Sequence, residues 1–399
     1  MAELALDGVR ILDLSGGIAG PYCTRLLGGF GAEVTKVEKP DEGDESRRVG
    51  PFPEDIPHLE RSALFLHLNT SKKGVTLNLE TLAGRRILRQ LAERADILVE
   101  SFEPGQMSDW GLDYESLEKT NPRLIVTSIT PFGQTGPYRH YKWSSAVLDA
   151  LGGHTYVQGD PKREPLRYPD GTAECTAGMF ASVATMGALH YSGDTGQGQH
   201  IDVSILDCLP GLDSFRTVRW THLGVIQERR GGRYAQWPGK LYPCRDGYVG
   251  LCGIGPTGTL LPMYSVMGIP ELLNPEYEDF AQREERAEEL DALVQPWLME
   301  HDRYEIFNAL QAVRVQAGVC NSAEDLLKDP GHEARRFWVE MEHPEAGKLK
   351  YPGEPARMSE TAWQTSRAPL LGEHNEEIYQ GELGYSSREL TQLRSSGVI

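Results

Sequence analysis

The chain has 399 residues, 39% hydrophobic and 25% charged, enough for one large or two ordinary domains with a real core. Its 58 acidic residues against 40 basic ones give a formal net charge of −18, which argues against nucleic acid or an anionic membrane as main partner, although local lysines can still receive an anionic small ligand. No apolar run approaches the roughly 18–20 residues that span a bilayer, MAELALDGVR carries no basic-then-apolar leader, and the six cysteines form no C-x-x-C pair, so a cytoplasmic protein with reduced thiols and no metal site is expected.

From the N-terminus, Val9–Asp13 reads as a strand, Ser15–Gly20 as a glycine-rich loop, Pro21–Phe30 as a helix and Glu33–Val37 as a second strand. Glycines such as Gly16 and Gly17 let backbone N–H groups approach a ligand, and a helix N-terminus favours negative charge. The loop is neither the dinucleotide G-x-G-x-x-G nor the phosphate loop G-x-x-x-x-G-K-[ST]. Alone, it is equally compatible with a plain tight turn between strand and helix. Lys36 and Lys39 are expected where the second strand meets solvent.

Further strands are expected at Val75–Leu77, Asp96–Val99, Leu124–Ile129 and His200–Val203, with a helix over Leu79–Arg94 set by the spacing of Leu82, Ile87, Leu88 and Leu91. This alternation predicts an α/β fold with a mostly parallel sheet covered on both faces. Ligands of such sheets bind beyond the strand C-termini, where the Gly/Pro-rich loops Ser15–Gly20, Ser101–Gly105 and Thr130–Gly136 fall. The helix Cys175–Tyr191 is rich in small residues, which predicts close packing against the sheet or a partner helix. From about Arg229 the character changes: an aromatic, glycine-rich loop at 231–239, a hairpin over Leu241–Cys252 turning at Asp246-Gly247, and an acidic helical region with Phe280, Ala287, Leu290, Leu293 and Trp297 at helical spacing. Helices are expected over 310–325 and 330–338, then a loop- and proline-rich end closed by a helix at Ser387–Ser395.

Several segments, each at a strand edge or turn, carry a resemblance. They are Leu6-Asp-Gly-Val-Arg-Ile-Leu-Asp-Leu14, Ala19-Gly-Pro21, Gly31-Ala-Glu-Val34, Lys36-Val-Glu-Lys39, Asn69 with Lys72-Lys73, Phe102-Glu-Pro-Gly105, Phe132-Gly-Gln-Thr-Gly-Pro137, Thr195-Gly-Gln-Gly-Gln199 with Asp202-Val-Ser204, and Ala368-Pro-Leu-Leu-Gly-Glu373. In this order they resemble the class III coenzyme A transferases, the CaiB/BaiF family. The resemblance implies a Rossmann-like large domain (1–215 with the returning segment 326–399), a smaller α+β domain (225–325) and an interlocked homodimer. It implies coenzyme A or acyl-CoA as substrate rather than a bound cofactor, with a carboxylic acid as the second substrate. Contacts to it would come from Gly16, Gly17, Ile18, Ala19, Lys39, Asn69, Lys72, Lys73, Phe102, Gly105 and Met107. A phosphate-bearing ligand on an acidic protein calls for such local cations. The sequence departs from the family at Asp109, where many relatives carry an arginine.

The family's nucleophile is an aspartate four residues before a glycine at the start of the small-residue helix. With Gly178 as that glycine, the position holds Glu174. Three roles fit the sequence: Glu174 as nucleophile, one methylene longer than aspartate; Asp170, in Tyr168-Pro-Asp-Gly171, taking the role; or neither, with Glu174 only complementing the helix dipole. The family's racemase branch needs a histidine opposite the carboxylate. By register that place is Ser144, with His140 and His154 to either side. Tyr234 and Trp237 are candidates for an aromatic lid or for an apolar plug.

Overall fold

Six short strands joined by crossovers carry the first half of the chain. The computed structural model describes residues 4–212, 214–233, 236–253 and 258–399. The strands are β1 (Arg10–Asp13), β2 (Glu33–Glu38), β3 (Lys72–Thr76), β4 (Ile97–Glu100), β5 (Ile125–Thr130) and β6 (His200–Ser204). They form one parallel sheet in the order β3-β2-β1-β4-β5-β6. The sheet is buried on both faces because side chains alternate along each strand. Leu12, Leu98 and Val126 face one core with Ile87, Leu88 and Leu91 of the helix Leu82–Ala92. Their neighbours Ile11, Ile97, Val99 and Ile125 face a second core with Leu27, Ala177 and Ala181.

The helix over 79–94 proves shorter than its periodicity predicts, because Thr81 caps it by accepting from the Gly84 N–H. The small-residue helix is longer, Thr172–Thr195. Its Gly178 lies where a β-carbon would come within 2.6 Å of the Ala19 carbonyl oxygen, so only glycine lets this helix seat on helix α1 (Ala19–Gly29).

By contacts the chain divides into two units. One comprises the chain up to Thr155, Arg167–Ile226 and Glu333–Ile399; the other comprises Tyr156–Leu166 and Gln227–His332. In the first unit the C-terminal segment covers the β3 edge. Asn375 Oδ1 accepts from the Thr76 N–H at 2.8 Å and the Tyr379 hydroxyl donates to the Thr76 carbonyl at 2.8 Å. The proline-rich end holds more order than expected: strands Trp338–His343 and Gly347–Pro352 pair as an antiparallel hairpin, and the helix Ser387–Ser395 follows.

The second unit is built on the antiparallel strands Lys240–Cys244, Gly247–Gly253 and Gln316–Val319, packed on the helix Ala287–Glu300. The continuous helix expected over 310–325 is absent. The helix Arg303–Ala312 is followed by Arg314, whose φ of +61° turns the chain, and Gln316–Val319 then run as a strand with Val315 and Ala317 buried. Trp237 is a core residue of this unit, 4% exposed, with its indole N–H on Asp291 Oδ1 at 3.0 Å. That removes it as a lid; Tyr234 lies outside the described residues.

Candidate functional site

At the centre of the sheet, β1 connects toward one edge and β4 toward the other. Such a reversal opens a crevice beyond the strand C-termini. The loops leaving β1 and β4 meet there, the Gly16 N–H donating to Ser101 Oγ at 2.8 Å.

A buried ionic cluster supports the first loop. Asp13 has no exposed surface and accepts from Thr24 Oγ1 at 2.7 Å, Lys72 Nζ at 2.8 Å and the Ser15 N–H at 3.1 Å. Lys36 donates to the Ser15 carbonyl and pairs with Asp44 at 2.8 Å. Burial alone would raise the Asp13 carboxyl, but the charges of Lys36 and Lys72 hold it far below the usual carboxylate range. Burial, reinforced by Lys36 and only partly offset by Asp13, pushes the Lys72 ammonium down to about 8.

This cluster revises several sequence expectations. Lys36 is 1% exposed and does not meet solvent, because β2 is an inner strand whose last residues are covered. Lys72 spends its donors on Asp13, on the Pro21 carbonyl at 2.9 Å and on Asn69 Oδ1 at 2.9 Å, so neither Lys72 nor Asn69 reaches the crevice. Lys73 pairs with Glu33 and, at 2.9 Å, with Glu377. The Gly16 and Gly17 N–H groups are used internally, the latter on Asp44 Oδ1 at 3.3 Å, so the loop is a braced turn rather than an open anion cradle.

Two adjoining cavities follow the crevice. The first, of about 360 Å³, lies among Gly16, Lys39, Leu77, Leu79, Phe102 and Trp110. Its size suits a nucleotide-sized ligand. Phe102 and Trp110 meet edge to face with centroids 5.1 Å apart. Lys39 is half-exposed and pairs with Glu42 at 3.2 Å; it is the one lysine or arginine on this wall among the described residues. The second cavity, of about 110 Å³, shares Gly16, Glu45, Ser101 and Phe102 with the first and is closed by Gly17, Ile18, Ala19, Arg139, Trp143 and Glu174, among others. Gly105 and Met107 instead line a separate hollow with Glu100, Ser128 and His200. The loop Ser101–Gly105 was expected beside the crevice, but Trp110 and Arg139 were not singled out as lining residues; for Trp110 the aromatic in Asp109-Trp-Gly111 was the available signal.

Glu174 stands in the first turn of the helix Thr172–Thr195, one turn before Gly178, so the close seat of Gly178 on α1 brings Glu174 to the 16–19 loop. It is 4% exposed, one carboxylate oxygen accepts from the Ser145 hydroxyl, and Oε2 is buried without a partner. A buried polar atom without a partner calls for an explanation, and Glu174 is one of the residues that line the smaller cavity. Asp170 is exposed, paired with Arg167 at 2.9 Å, and does not line the cavity. His154 Nε2 rests on the Leu209 carbonyl at 3.1 Å, and His140 is exposed against Arg139. Neither places an imidazole on the cavity wall.

Comparison with known proteins gives a match to the family model "CoA-transferase family III" over residues 6–375. The chain is 32% identical to the succinyl-CoA–D-citramalate CoA-transferase of Chloroflexus aurantiacus, across 99% of this chain and 98% of that protein. It is 33% identical to a subunit (BbsE) of the succinyl-CoA:(R)-benzylsuccinate CoA-transferase of Thauera aromatica, across 98% and 97%. A crystal structure of a CaiB/BaiF family protein from Brucella suis superposes with a TM-score of 0.86 at 30% identity, covering 95% of this chain and 99% of that one.

Proposed function

Because the chain belongs to CoA-transferase family III, we propose that this CoA-transferase moves coenzyme A from an acyl-CoA donor to a free carboxylate with Glu174 as the nucleophile. The Glu174 carboxylate attacks the thioester carbonyl, forming a mixed anhydride and releasing the CoA thiolate. The thiolate then attacks the glutamyl carbonyl of that anhydride, giving a glutamyl-CoA thioester and freeing the donor's carboxylate. The acceptor carboxylate attacks this thioester in turn, and the thiolate returns to the acceptor's acyl carbon, regenerating Glu174. Each step trades one activated acyl group for another, so no external energy source is needed.

The observation that carries the reading is the buried Glu174 carboxylate, which lines the smaller cavity and leaves Oε2 without a hydrogen-bond partner. In this reading the nucleotide end of coenzyme A occupies the larger cavity, between Lys39 and the Phe102–Trp110 pair, and the thioester passes Gly16 and Gly17. The two relatives named above act on succinyl-CoA by their names. A donor or acceptor with a second carboxylate fits Arg139, the one cation among the described residues of the smaller cavity. Glu174→Gln is expected to lower transfer at least a thousandfold while the acyl-CoA still binds; transfer at the wild-type rate would reject the assignment.

The apolar residues Val183, Phe215 and Leu223 are 71%, 80% and 69% exposed in the first unit, which supports a dimer. Val183→Glu should reduce the sedimenting mass to that of one chain, and an unchanged mass would count against that surface. One relative is named as a subunit, which favours a second reading in which the partner chain differs from this one; co-purification of a homologous chain from the native source separates the two.

A further inference from the structure

Of the described residues, Gly16, Glu45, Ser101 and Phe102 border both cavities. They form the neck that a ligand spanning the two must pass. Glu45 opens the short 3-10 helix Glu45–Arg48, capped by Asp44, which accepts from the Ser46 N–H. Its carboxylate lies against Gly17, whose φ is +69°: a β-carbon there would come within 2.9 Å of Glu45 Oε1. The neighbouring carboxylates are spent, Glu38 on Arg47 at 2.6 Å and Asp44 on Lys36 at 2.8 Å. Glu45 is exposed and accepts from no group among the described residues. Ser101 Oγ accepts from the Gly16 N–H at 2.8 Å, and its own proton goes to no described acceptor. The side chains of the neck therefore offer one charged acceptor and one hydroxyl donor. A secondary amide, with one N–H and one C=O, is the uncharged group that answers both.

We infer that Glu45 is a binding residue for the pantetheine arm of coenzyme A, its carboxylate accepting an amide N–H of the arm while the Ser101 hydroxyl donates to an amide carbonyl. This rests on the reading above that coenzyme A spans both cavities. The arm is uncharged and carries two secondary amides between the diphosphate and the sulfur. An N–H donated to a carboxylate makes a charge-assisted bond, stronger than a neutral one. The same charge repels the diphosphate. The phosphates therefore stop on the side of Lys39, and the sulfur end alone goes on to the cavity lined by Glu174. Glu45 thus sets how far the substrate enters.

The test is calorimetric binding of coenzyme A, the part common to every acyl-CoA donor, to wild type, Glu45→Ala and Lys39→Ala. Two analogues complete the set, each with the N–H of one pantetheine amide replaced by a methylene. Wild type should bind one analogue about tenfold more weakly than coenzyme A, the low end for a hydrogen bond to a charged group. Glu45→Ala should bind coenzyme A about tenfold more weakly than wild type and no longer distinguish it from that analogue. Glu45 is exposed and unbonded, so its replacement leaves stability near that of wild type. A Glu45→Ala that binds coenzyme A as wild type does, or that still discriminates against the analogue as wild type does, overturns the contact. If Lys39→Ala weakens binding and Glu45→Ala does not, this inference falls alone; if neither does, the path through the two cavities falls with it.

Discussion

Replacing Lys72 by methionine separates a supporting role from a ligand contact. The Lys72 ammonium is fully buried and makes three bonds of 2.8–2.9 Å, to Asp13, the Pro21 carbonyl and Asn69. Its loss leaves Asp13 with Lys36 Nζ at 3.8 Å as its remaining ion-pair partner. Breaking a buried pair from one side costs about 3–5 kcal/mol, and the surviving lysine places this case near the lower end. With an m-value of about 3 kcal/mol/M in urea, a loss of about 3 kcal/mol moves the unfolding midpoint down by about 1 M. Intrinsic fluorescence in a urea series reads that shift, and steady-state kinetics at low temperature read KM for the acyl-CoA, expected within about threefold of wild type. An unchanged midpoint with KM raised tenfold or more would refute the reasoning and make Lys72 a phosphate contact.

Lys39→Ala should raise KM for the acyl-CoA about three- to tenfold with kcat unchanged, the size of a partly exposed charge contact of about 1 kcal/mol. The gap should narrow as salt rises, and a salt-independent effect on kcat would contradict a phosphate contact. Glu100 gives the pH dependence of stability. Burial, assisted by Asp202 and opposed by Ser128 and the Phe102 N–H, raises its carboxyl from 4.5 to about 7. The folded chain then binds more protons than the unfolded one across that window, so this group's contribution falls as pH rises from about 5 to 8, by about 3 kcal/mol. Glu100→Gln should therefore gain stability over wild type as pH rises from 5 to 8 in thermal melts, and a pH-independent difference would count against it.

The parallel sheet was legible because its strands are short apolar runs ended by glycine-rich loops, and the crevice followed from where those loops lie. The ion cluster was not. Asp13, Lys36, Asp44 and Lys72 are far apart in sequence and meet only because Asp13, the last residue of β1, lies beside Lys36 of β2, and Lys72 opens β3 on the other side of β2. Lys36 and Lys72 therefore looked like surface cations. The alternation at Val315, Ala317 and Val319 was hidden inside a helical-looking stretch until Arg314 turned the chain. In the hairpin near the C-terminus, exposed Glu340 and Lys348, which pair across the strands, masked the strand pattern. Glu174 was located by register to Gly178, and its partner Ser145 stood one residue beyond the place examined for a histidine.

The central claim is that Glu174 carries the acyl and CoA groups during transfer. Incubating the enzyme with an acyl-CoA donor, quenching with hydroxylamine or borohydride and sequencing the peptide that contains Cys175 by mass spectrometry tests it directly. A hydroxamate or alcohol on Glu174, absent without donor and absent in Glu174→Gln, is the predicted result. Modification on Asp170, or none on either residue while transfer proceeds, would contradict it.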